Sequence, residues 1–217
     1  MSLAIVYTRA ALGIEAPLIT VEVHLSNGLP GLTMVGLPET TVKEARDRVR
    51  SALINSGYAF PAKKITINLA PADLPKEGGR YDLPIALALL VASEQLNTTR
   101  LNQYEFVGEL ALTGGLRGVP GAIPSAMEAI KAGRRIVVSS DNAAEVGLIG
   151  GSDCLVADHL QEVCAFLAGQ TSLSPPLAEA PARDERYEDL LDVIGQQQGK
   201  RALEIVAAGG HNLLLIG

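Results

Sequence analysis

The sequence feature that most constrains the fold is the stretch from residue 65 to residue 90, ITINLAPADLPKEGGRYDLPIALALL. It begins with Ile65, Ile67 and Leu69 alternating with polar or small residues, the period-two pattern of a strand with one buried face. Prolines and glycines follow at once, so the strand is predicted to end near Pro71. A strand, a polar turn and an apolar segment therefore succeed each other directly.

The apolar segment that follows, residues 83–92, consists almost entirely of Leu, Ile, Ala and Val. It is too short to cross a bilayer and too uniformly apolar for a surface helix, so a buried helix is predicted. Asp82 is expected at the N-cap and Pro84 in the first turn. The turn before it, residues 76–81, then lies at the N-terminus of a core helix, where backbone donors favour anions and activate nucleophiles.

Composition narrows the class of protein. The 217 residues suffice for one well-buried domain and part of another, and an apolar fraction of 47% with 19% charged residues is typical of a globular chain. The net charge of −6 argues against binding nucleic acid by bulk electrostatics alone, although a local basic face stays compatible with it.

The cysteines and histidines predict no metal site. Cys154 and Cys164 lie in apolar surroundings without paired spacing, which favours buried free thiols, and the three histidines have no metal-ligand spacing. The N-terminus has no basic segment before its short apolar run, and no run reaches the roughly 18 residues of a membrane span. A cytoplasmic location without membrane attachment is therefore expected.

The pattern along the chain predicts an α+β sandwich with helices on one face. Strands are predicted at residues 3–9, 18–25 and 32–36, the last two joined by a turn, so an antiparallel start is expected. A long helix should run from about residue 39 to Ser56, with Gly57 beyond its end. The later elements are predicted as a hairpin at 104–112 and 115–119, helices at 123–132, 141–148 and 158–167 capped by Asp141 and Asp158, and strands at 134–138 and 155–156.

One region of this acidic chain is basic. Between residues 39 and 80 stand eight cations against five acids, and the helix of this region pairs a buried stripe of Val42, Ala45, Val49, Ala52 and Leu53 with a charged face. The first interpretation is a solvated helix face with compensating charges. The second follows from the resemblance to a DNA motor given below, which implies a surface for DNA phosphates with the candidate residues Lys43, Arg46, Arg50, Lys76 and Arg80.

The C-terminal part changes character. Residues 170–185 are rich in Pro, Ala and Ser without an apolar period, so they are predicted to be a linker. Helical fragments are expected at 187–193 and 199–208, and residues 211–217 read as a buried strand. Gly217 stands where a phosphate-binding loop of the GxxxxGK[ST] type would begin.

The segment Pro75-Lys76-Glu77-Gly78, between a strand and an apolar helix, resembles the serine-bearing segment of Lon-type proteases, whose domain shares its fold with domain 2 of ribosomal protein S5. In that pattern Arg80 stands in place of the serine, and Pro124 stands in place of the lysine partner. The resemblance implies a Lon-like fold over residues 1–169 that lacks the catalytic dyad. A Lon-type serine peptidase is therefore kept only as an alternative.

A second resemblance covers nearly the whole chain. The stretches GLPGLTMVGLPETTVKEARDRVRSALINSGYAFP and DVIGQQQGKRALEIVAAGGHNLLLIG are similar to the ComM/YifB family of magnesium-chelatase-like AAA+ ATPases. It implies an ATP-driven, Mg²⁺-dependent homohexameric DNA helicase that promotes branch migration in natural transformation. Residues 186–217 would begin the AAA+ α/β module, with Val193, Ile194, Gly195 and Gly217 as nucleotide contacts. No catalytic residue is assigned, and the chain alone is expected to be inactive and without cofactor.

Two further expectations concern alternatives. A magnesium-chelatase ATPase subunit acting on a tetrapyrrole is disfavoured because such a subunit is not expected to carry a Lon-like domain ahead of its ATPase. At the turn, Arg80 is expected to pair with Asp82, Glu77 or a nearby carboxylate and to fix the loop. The sharper alternative places Lys76 and Arg80 on a DNA-facing surface.

Overall fold

The computed structural model describes residues 2–36, 44–176 and 189–216. The chain divides into two compact units, Met1–Glu179 and Ala180–Gly217, each considered by itself below. The predicted linker, residues 170–185, lies from residue 177 onward outside the described residues.

Over its described residues, the first unit contains nine strands and five α-helices. The strands are β1 (Ser2–Arg9), β2 (Leu18–Ser26), β3 (Gly31–Val35), β4 (Lys64–Ala70), β5 (Tyr104–Phe106), β6 (Glu109–Leu110), β7 (Leu116–Arg117), β8 (Arg135–Ser139) and β9 (Cys154–Ala157). The helices are α1 (Ala45–Asn55), α2 (Asp82–Ala92), α3 (Ala122–Lys131), α4 (Ala143–Val146) and α5 (Leu160–Leu167). The second unit contains α6 (Gln197–Gly209) and a 3₁₀ turn, Leu190–Asp192. The α+β class is confirmed.

Seven strands form one mixed sheet in the order β3-β4-β2-β1-β5-β8-β9. Two neighbouring pairs, β1–β2 and β2–β4, are antiparallel, and the other four pairs are parallel. The predicted pairing of the second and third strands is wrong, because β4 lies between them and β3 runs parallel to β4. The apolar alternation of β4 matches that of β2 over seven residues, so both strands bury the same face and β4 takes that edge.

Helix α2 forms the centre of the larger hydrophobic cluster, as predicted. Every residue from Asp82 to Leu90 is buried, and the helix packs on β1 and β2. Helix α1 lies beside it through Ala45, Val49 and Leu53, which confirms the described part of the predicted stripe. Gly57 follows α1 with φ +83°, the left-handed conformation expected after a helix.

Helices cover both faces of the sheet, which corrects the prediction of a single helical face. On β8, Val137 belongs to the large cluster with α1, α2 and α5. Its neighbours Ile136 and Val138 belong to a smaller cluster with α3. Since successive side chains of a strand point to opposite faces, α3 packs on the other side of the sheet from α2.

The predicted aspartate caps are also corrected. Asp82 is the first residue of α2 rather than its cap, the residue at the cap position is Tyr81, and no side chain caps this helix. The turn after β8 is capped by Ser139 rather than Asp141, and α5 by His159 rather than Asp158. The carboxylates of Asp82 and Asp141 serve tertiary contacts instead, with Arg48 and with the backbone N–H of Gly118. The predicted hairpin is confirmed next to its turn at residues 113–115, where β6 pairs with β7, but it is wrong for residues 104–106, which form β5 and pair with β1 and β8 in the large sheet.

Candidate functional site

The polar turn before α2 is closed by Arg80. Its side chain is buried, with 3% exposure, although it sits in an otherwise polar loop. The guanidinium donates from Nη1 to the carbonyl oxygen of Arg9 at 3.2 Å and from Nη2 to the carbonyl oxygen of Pro120. Arg80 therefore joins three separate segments: the turn, the end of β1 and the loop that leads into α3.

The expected carboxylate partner of Arg80 is thus replaced by two carbonyl groups. Burial lowers the pKa of the Arg80 guanidinium below its ordinary value, because the charged form loses water. Asp82 is not available to Arg80, since its carboxylate already accepts two hydrogen bonds from Arg48, at 2.7 Å and 3.1 Å. The expectation that Arg80 fixes the loop agrees with this geometry, whereas its expected partners were wrong.

Lys76 is also internal. Its side chain is 0% exposed, its Nζ donates to the carbonyl oxygen of Pro71, and burial lowers its pKa. Neither Lys76 nor Arg80 presents its charge to solvent, so the interpretation of these two residues as DNA contacts is not supported by where they lie. Their charges satisfy backbone carbonyl groups instead.

A cleft of about 290 Å³ lies over this turn. Its lining residues are Ala11, Glu77, Gly78, Gly79, Arg80, Glu109, Gly118, Val119 and Pro120. None of them is a serine, threonine or cysteine, so the lining offers no attacking hydroxyl or thiol, and the carboxylates of Glu77 and Glu109 have no such group to activate. Arg80 does contact the loop that leads to Pro124, because it donates a hydrogen bond to the carbonyl oxygen of Pro120. These two positions, however, hold an arginine and a proline instead of the serine and lysine of a catalytic dyad.

The exposed cations of α1 form a second candidate site. Arg46 and Arg50 are exposed, one turn apart, and line a cavity of about 240 Å³ together with Lys63 and the ring of Phe60. Lys43 lies outside the described residues. Lys63 is one of the eight cations of the basic region, whereas Phe60 was not predicted as part of a site. The proximity of Phe60 to Lys63 and Lys64 in the sequence could have indicated a nucleic-acid site. That Phe60 lies opposite α1, however, depends on the fold.

Comparison with known proteins places the chain in a family. The family described as "Subunit ChlI of Mg-chelatase" matches residues 21–142, and the one described as "Magnesium chelatase, subunit ChlI" matches residues 189–217. YifB of Salmonella typhimurium is 76% identical over the whole chain, and competence protein ComM of Haemophilus influenzae is 56% identical over the whole chain. The chain belongs to the ComM/YifB family. It spans 43% of the length of that YifB and 44% of that ComM.

Within this family assignment, the second unit carries the predicted nucleotide contacts. Val193 and Ile194 follow the 3₁₀ turn with 42% and 97% exposure, and Gly195 has φ +76° before α6 begins. The predicted strand at the end of the chain is not formed over residues 211–216, which are exposed and pair with no other strand in the described part of this unit. A buried strand needs a neighbouring strand for its backbone groups, and the described residues of this unit supply none. Gly217 lies outside the described residues.

ATP and Mg²⁺ are the cofactors that the family implies through its AAA+ module. The uncovered apolar side chains of Val193 and Ile194 are of the kind that packs on an adenine ring, so they fit that end of the nucleotide.

Residues 2–36, 44–176 and 189–216 contain no cluster of His, Cys, Asp and Glu that could hold a metal ion. Over the same residues, no helix is long and apolar enough to cross a membrane, and Cys154 and Cys164 are buried free thiols, as predicted.

Proposed function

We propose that this chain forms the front part of an ATP-driven DNA motor, a helicase of the ComM type that promotes branch migration during natural transformation and recombination. Its first unit serves assembly and DNA or partner contact without catalysis of its own, and its second unit begins the AAA+ module. The motor works as a homohexamer in the cytoplasm. The relative named competence protein ComM, 56% identical over this whole chain, supports the choice of process.

The observation that carries the non-catalytic role of the first unit is the closure of the turn by Arg80. A hydrolase needs an activated hydroxyl or thiol at the start of this helix, with a base within hydrogen-bond reach. Here that position holds a buried guanidinium tied to the carbonyl groups of Arg9 and Pro120. A group that is fully engaged in holding the loop supports a scaffold role rather than peptide hydrolysis.

In the second unit, Val193, Ile194 and Gly195 would contact the adenine of ATP. The nucleotide, when bound with Mg²⁺, supplies the free energy of hydrolysis to the ring. The role of these three residues is to bind and orient the base, because apolar side chains exclude water from its faces. In this proposal, the chain helps to bind the nucleotide, and other residues of the AAA+ module carry out the chemistry at the phosphates.

The test uses a parent protein as long as the relatives, purified with this chain as its front part. We expect ATP hydrolysis that DNA stimulates, ATP-dependent migration of a four-way DNA junction, and no digestion of casein. Ile194→Asp should raise the KM for ATP at least about tenfold, because a charge replaces an apolar contact. Ile205→Asp, at a residue that is also exposed in the same unit, is the matched control and should leave KM unchanged.

The outcomes separate the candidate functions. Casein digestion, or labelling of the protein by a serine-directed reagent, would favour the peptidase alternative. Insertion of Mg²⁺ into a porphyrin without any effect of DNA would favour the chelatase alternative. The descriptions of both matching families name magnesium chelatase. The 217-residue chain alone is expected neither to hydrolyse ATP nor to bind it tightly, and turnover above a protein-free control contradicts this.

A further inference from the structure

The cavity beside α1 is built from three parts of the first unit. Helix α1 contributes Arg46 and Arg50, the segment before β4 contributes Phe60 and Lys63, and the start of β3 contributes its backbone. The two strand segments are joined by a hydrogen bond from the N–H of Gly31 to the carbonyl oxygen of Lys63, at 3.3 Å. The cavity therefore lies between a helix, the start of a strand and a loop that a backbone hydrogen bond ties to that strand.

The charge of this cavity is positive and uncompensated. Its lining residues, Pro30, Gly31, Leu32, Arg46, Arg50, Phe60, Pro61, Ala62, Lys63 and Ile65, include three cations and no carboxylate. Across the described part of the chain, Arg46, Arg50 and Lys63 take part in no ion pair. Like charges one helical turn apart repel each other, so this arrangement costs stability and points to an anionic ligand.

The same cavity has an aromatic wall. The guanidinium carbon of Arg50 lies 5.1 Å from the centroid of the Phe60 ring, close enough for a cation–π contact. Phe60 is half-buried, with the hidden part of its ring packed against the main hydrophobic cluster. A positive groove lined by an aromatic ring is the arrangement with which proteins hold single-stranded nucleic acid, through phosphate contacts and base stacking.

We propose that this cavity binds a segment of single-stranded DNA, with Arg46, Arg50 and Lys63 at the phosphates and one base stacked on the Phe60–Arg50 pair. The proposal rests on the proposed function and deepens it by assigning the strand state and the residues. A cavity of about 240 Å³ can take one unstacked base with its phosphate, whereas the bases of a duplex are stacked on one another and cannot enter. An acidic peptide would match the cations but would leave the aromatic wall unused.

The experiment measures the affinity of the parent protein for a fluorescent oligothymidylate of 30 nucleotides by anisotropy, over a range of salt concentrations. Phe60→Leu keeps an apolar side chain but removes the ring, and should weaken binding about tenfold or more, since stacking accounts for much of the affinity of such sites. Phe60→Tyr restores a ring and should bind as the wild type does. A perfect duplex of the same length should bind more weakly and should not distinguish the two variants.

The cations are tested separately. Arg46→Ala and Lys63→Ala should each weaken binding and lower the slope of log affinity against log salt by about 0.7, the value for one lost phosphate contact to a single strand. Lys131→Ala removes one exposed cation from α3, far in sequence from this cavity, and should leave affinity and slope unchanged. Thermal unfolding by circular dichroism and the oligomeric state confirm that each variant is folded and assembled.

Three results would overturn the proposal. Equal affinity of Phe60→Leu and wild type in folded, assembled protein would mean that no base stacks here. Displacement of the oligonucleotide by polyglutamate at equal charge concentration would assign the cavity to an acidic peptide. Equal binding of duplex and single strand would reduce it to a general basic surface. Failure of the parent protein to migrate junctions or bind any DNA would instead contradict the proposed function, so the two failures are distinguishable.

Discussion

Arg48 on α1 donates two hydrogen bonds to the carboxylate of Asp82, at 2.7 Å and 3.1 Å, and so joins the basic helix to the first turn of the buried helix α2. Asp82 also accepts a hydrogen bond from the backbone N–H of Leu110 at 3.3 Å, which adds the hairpin β6–β7 to the same centre. The carboxylate is fully buried, with Glu109 nearby. Three elements of the first unit therefore share one charged group.

The titration of Asp82 predicts a pH dependence of stability. Burial raises its pKa from 3.8 to about 6, and the opposing effect of Arg48 is smaller. Between these two values the folded chain holds more protons than the unfolded chain, so stability falls as pH rises through 6. From pH 5 to pH 7.5 this group should cost about 1 kcal/mol of unfolding free energy.

Asp82→Asn isolates that contribution, because the amide keeps the shape but does not titrate. Urea unfolding followed by circular dichroism at pH 5 and pH 7.5 should give a smaller loss on raising the pH for Asp82→Asn than for the wild type. An equal loss in both proteins would show that other groups cause the pH dependence and that the pKa of Asp82 is not raised.

Arg80→Ala should destabilise the first unit by roughly 1–3 kcal/mol, because the buried carbonyl group of Arg9 loses its hydrogen-bond donor. Arg46→Ala is the control, since it removes an arginine that is exposed and takes part in no ion pair in the described chain, and should change stability by no more than about 0.5 kcal/mol. Urea unfolding measures both. Equal effects of the two substitutions would mean that Arg80 does not hold the turn.

Arg80→Ser places a hydroxyl where the Lon-type pattern has its nucleophile, and it should still give no peptidase activity. The partner position holds Pro124, so the lysine of the Lon-type dyad is missing, and the cleft lining offers only the carboxylates of Glu77 and Glu109 in its place. Labelling with a serine-directed reagent, followed by mass spectrometry, tests this. Labelling at position 80 would contradict this expectation and would point to Glu77 or Glu109 as the base.

Glu105 is expected to be one of the most sensitive positions of the first unit. Its fully buried carboxylate accepts from Arg9 at 2.5 Å and 2.7 Å and from Arg134 at 2.9 Å. Glu105→Gln leaves the buried Arg9 without its charge partner and should cost about 3–5 kcal/mol. The control Glu15→Gln concerns an exposed carboxyl group and should be nearly neutral in the same urea experiment. If Glu105→Gln lowered the free energy of unfolding less than Glu15→Gln does, the ion pairs of Glu105 with Arg9 and Arg134 would not stabilise the fold.

The two thiols should be protected in the folded chain. Burial raises the pKa of Cys164 to about 11, partly offset by Tyr58, and burial also raises the pKa of Cys154. For Cys164, two pKa units correspond to about 100-fold less thiolate at neutral pH, so its reaction with a coloured disulfide reagent should be at least that much slower than in the guanidinium-unfolded chain, and Cys154 should also react more slowly. Rapid reaction of one thiol before unfolding would show that its environment is open.

Much of the architecture could be predicted from local pattern. The alternation of β4, the uniform apolar character of α2 and the glycines after helices fixed the type and approximate bounds of most elements, because these signals depend on residues close together in the sequence. The order of strands could not be predicted in the same way. Pairing of β4 between β2 and β3 depends on which of several apolar strands gains the most from sharing a buried face.

The charged residues show the same division more sharply. From the sequence, the resemblance to Lon-type proteases puts Arg80 at the position of their serine, and the helical spacing puts Arg46 and Arg50 on one side of α1. Tertiary structure alone decided that Arg80 bonds carbonyl groups, that Arg48 rather than Arg80 takes Asp82, and that Phe60 meets Arg50 across a cavity. The physical reason is that a long charged side chain pairs with whichever group lies within hydrogen-bond distance after folding. That group can come from a residue far away in the sequence as readily as from a neighbour.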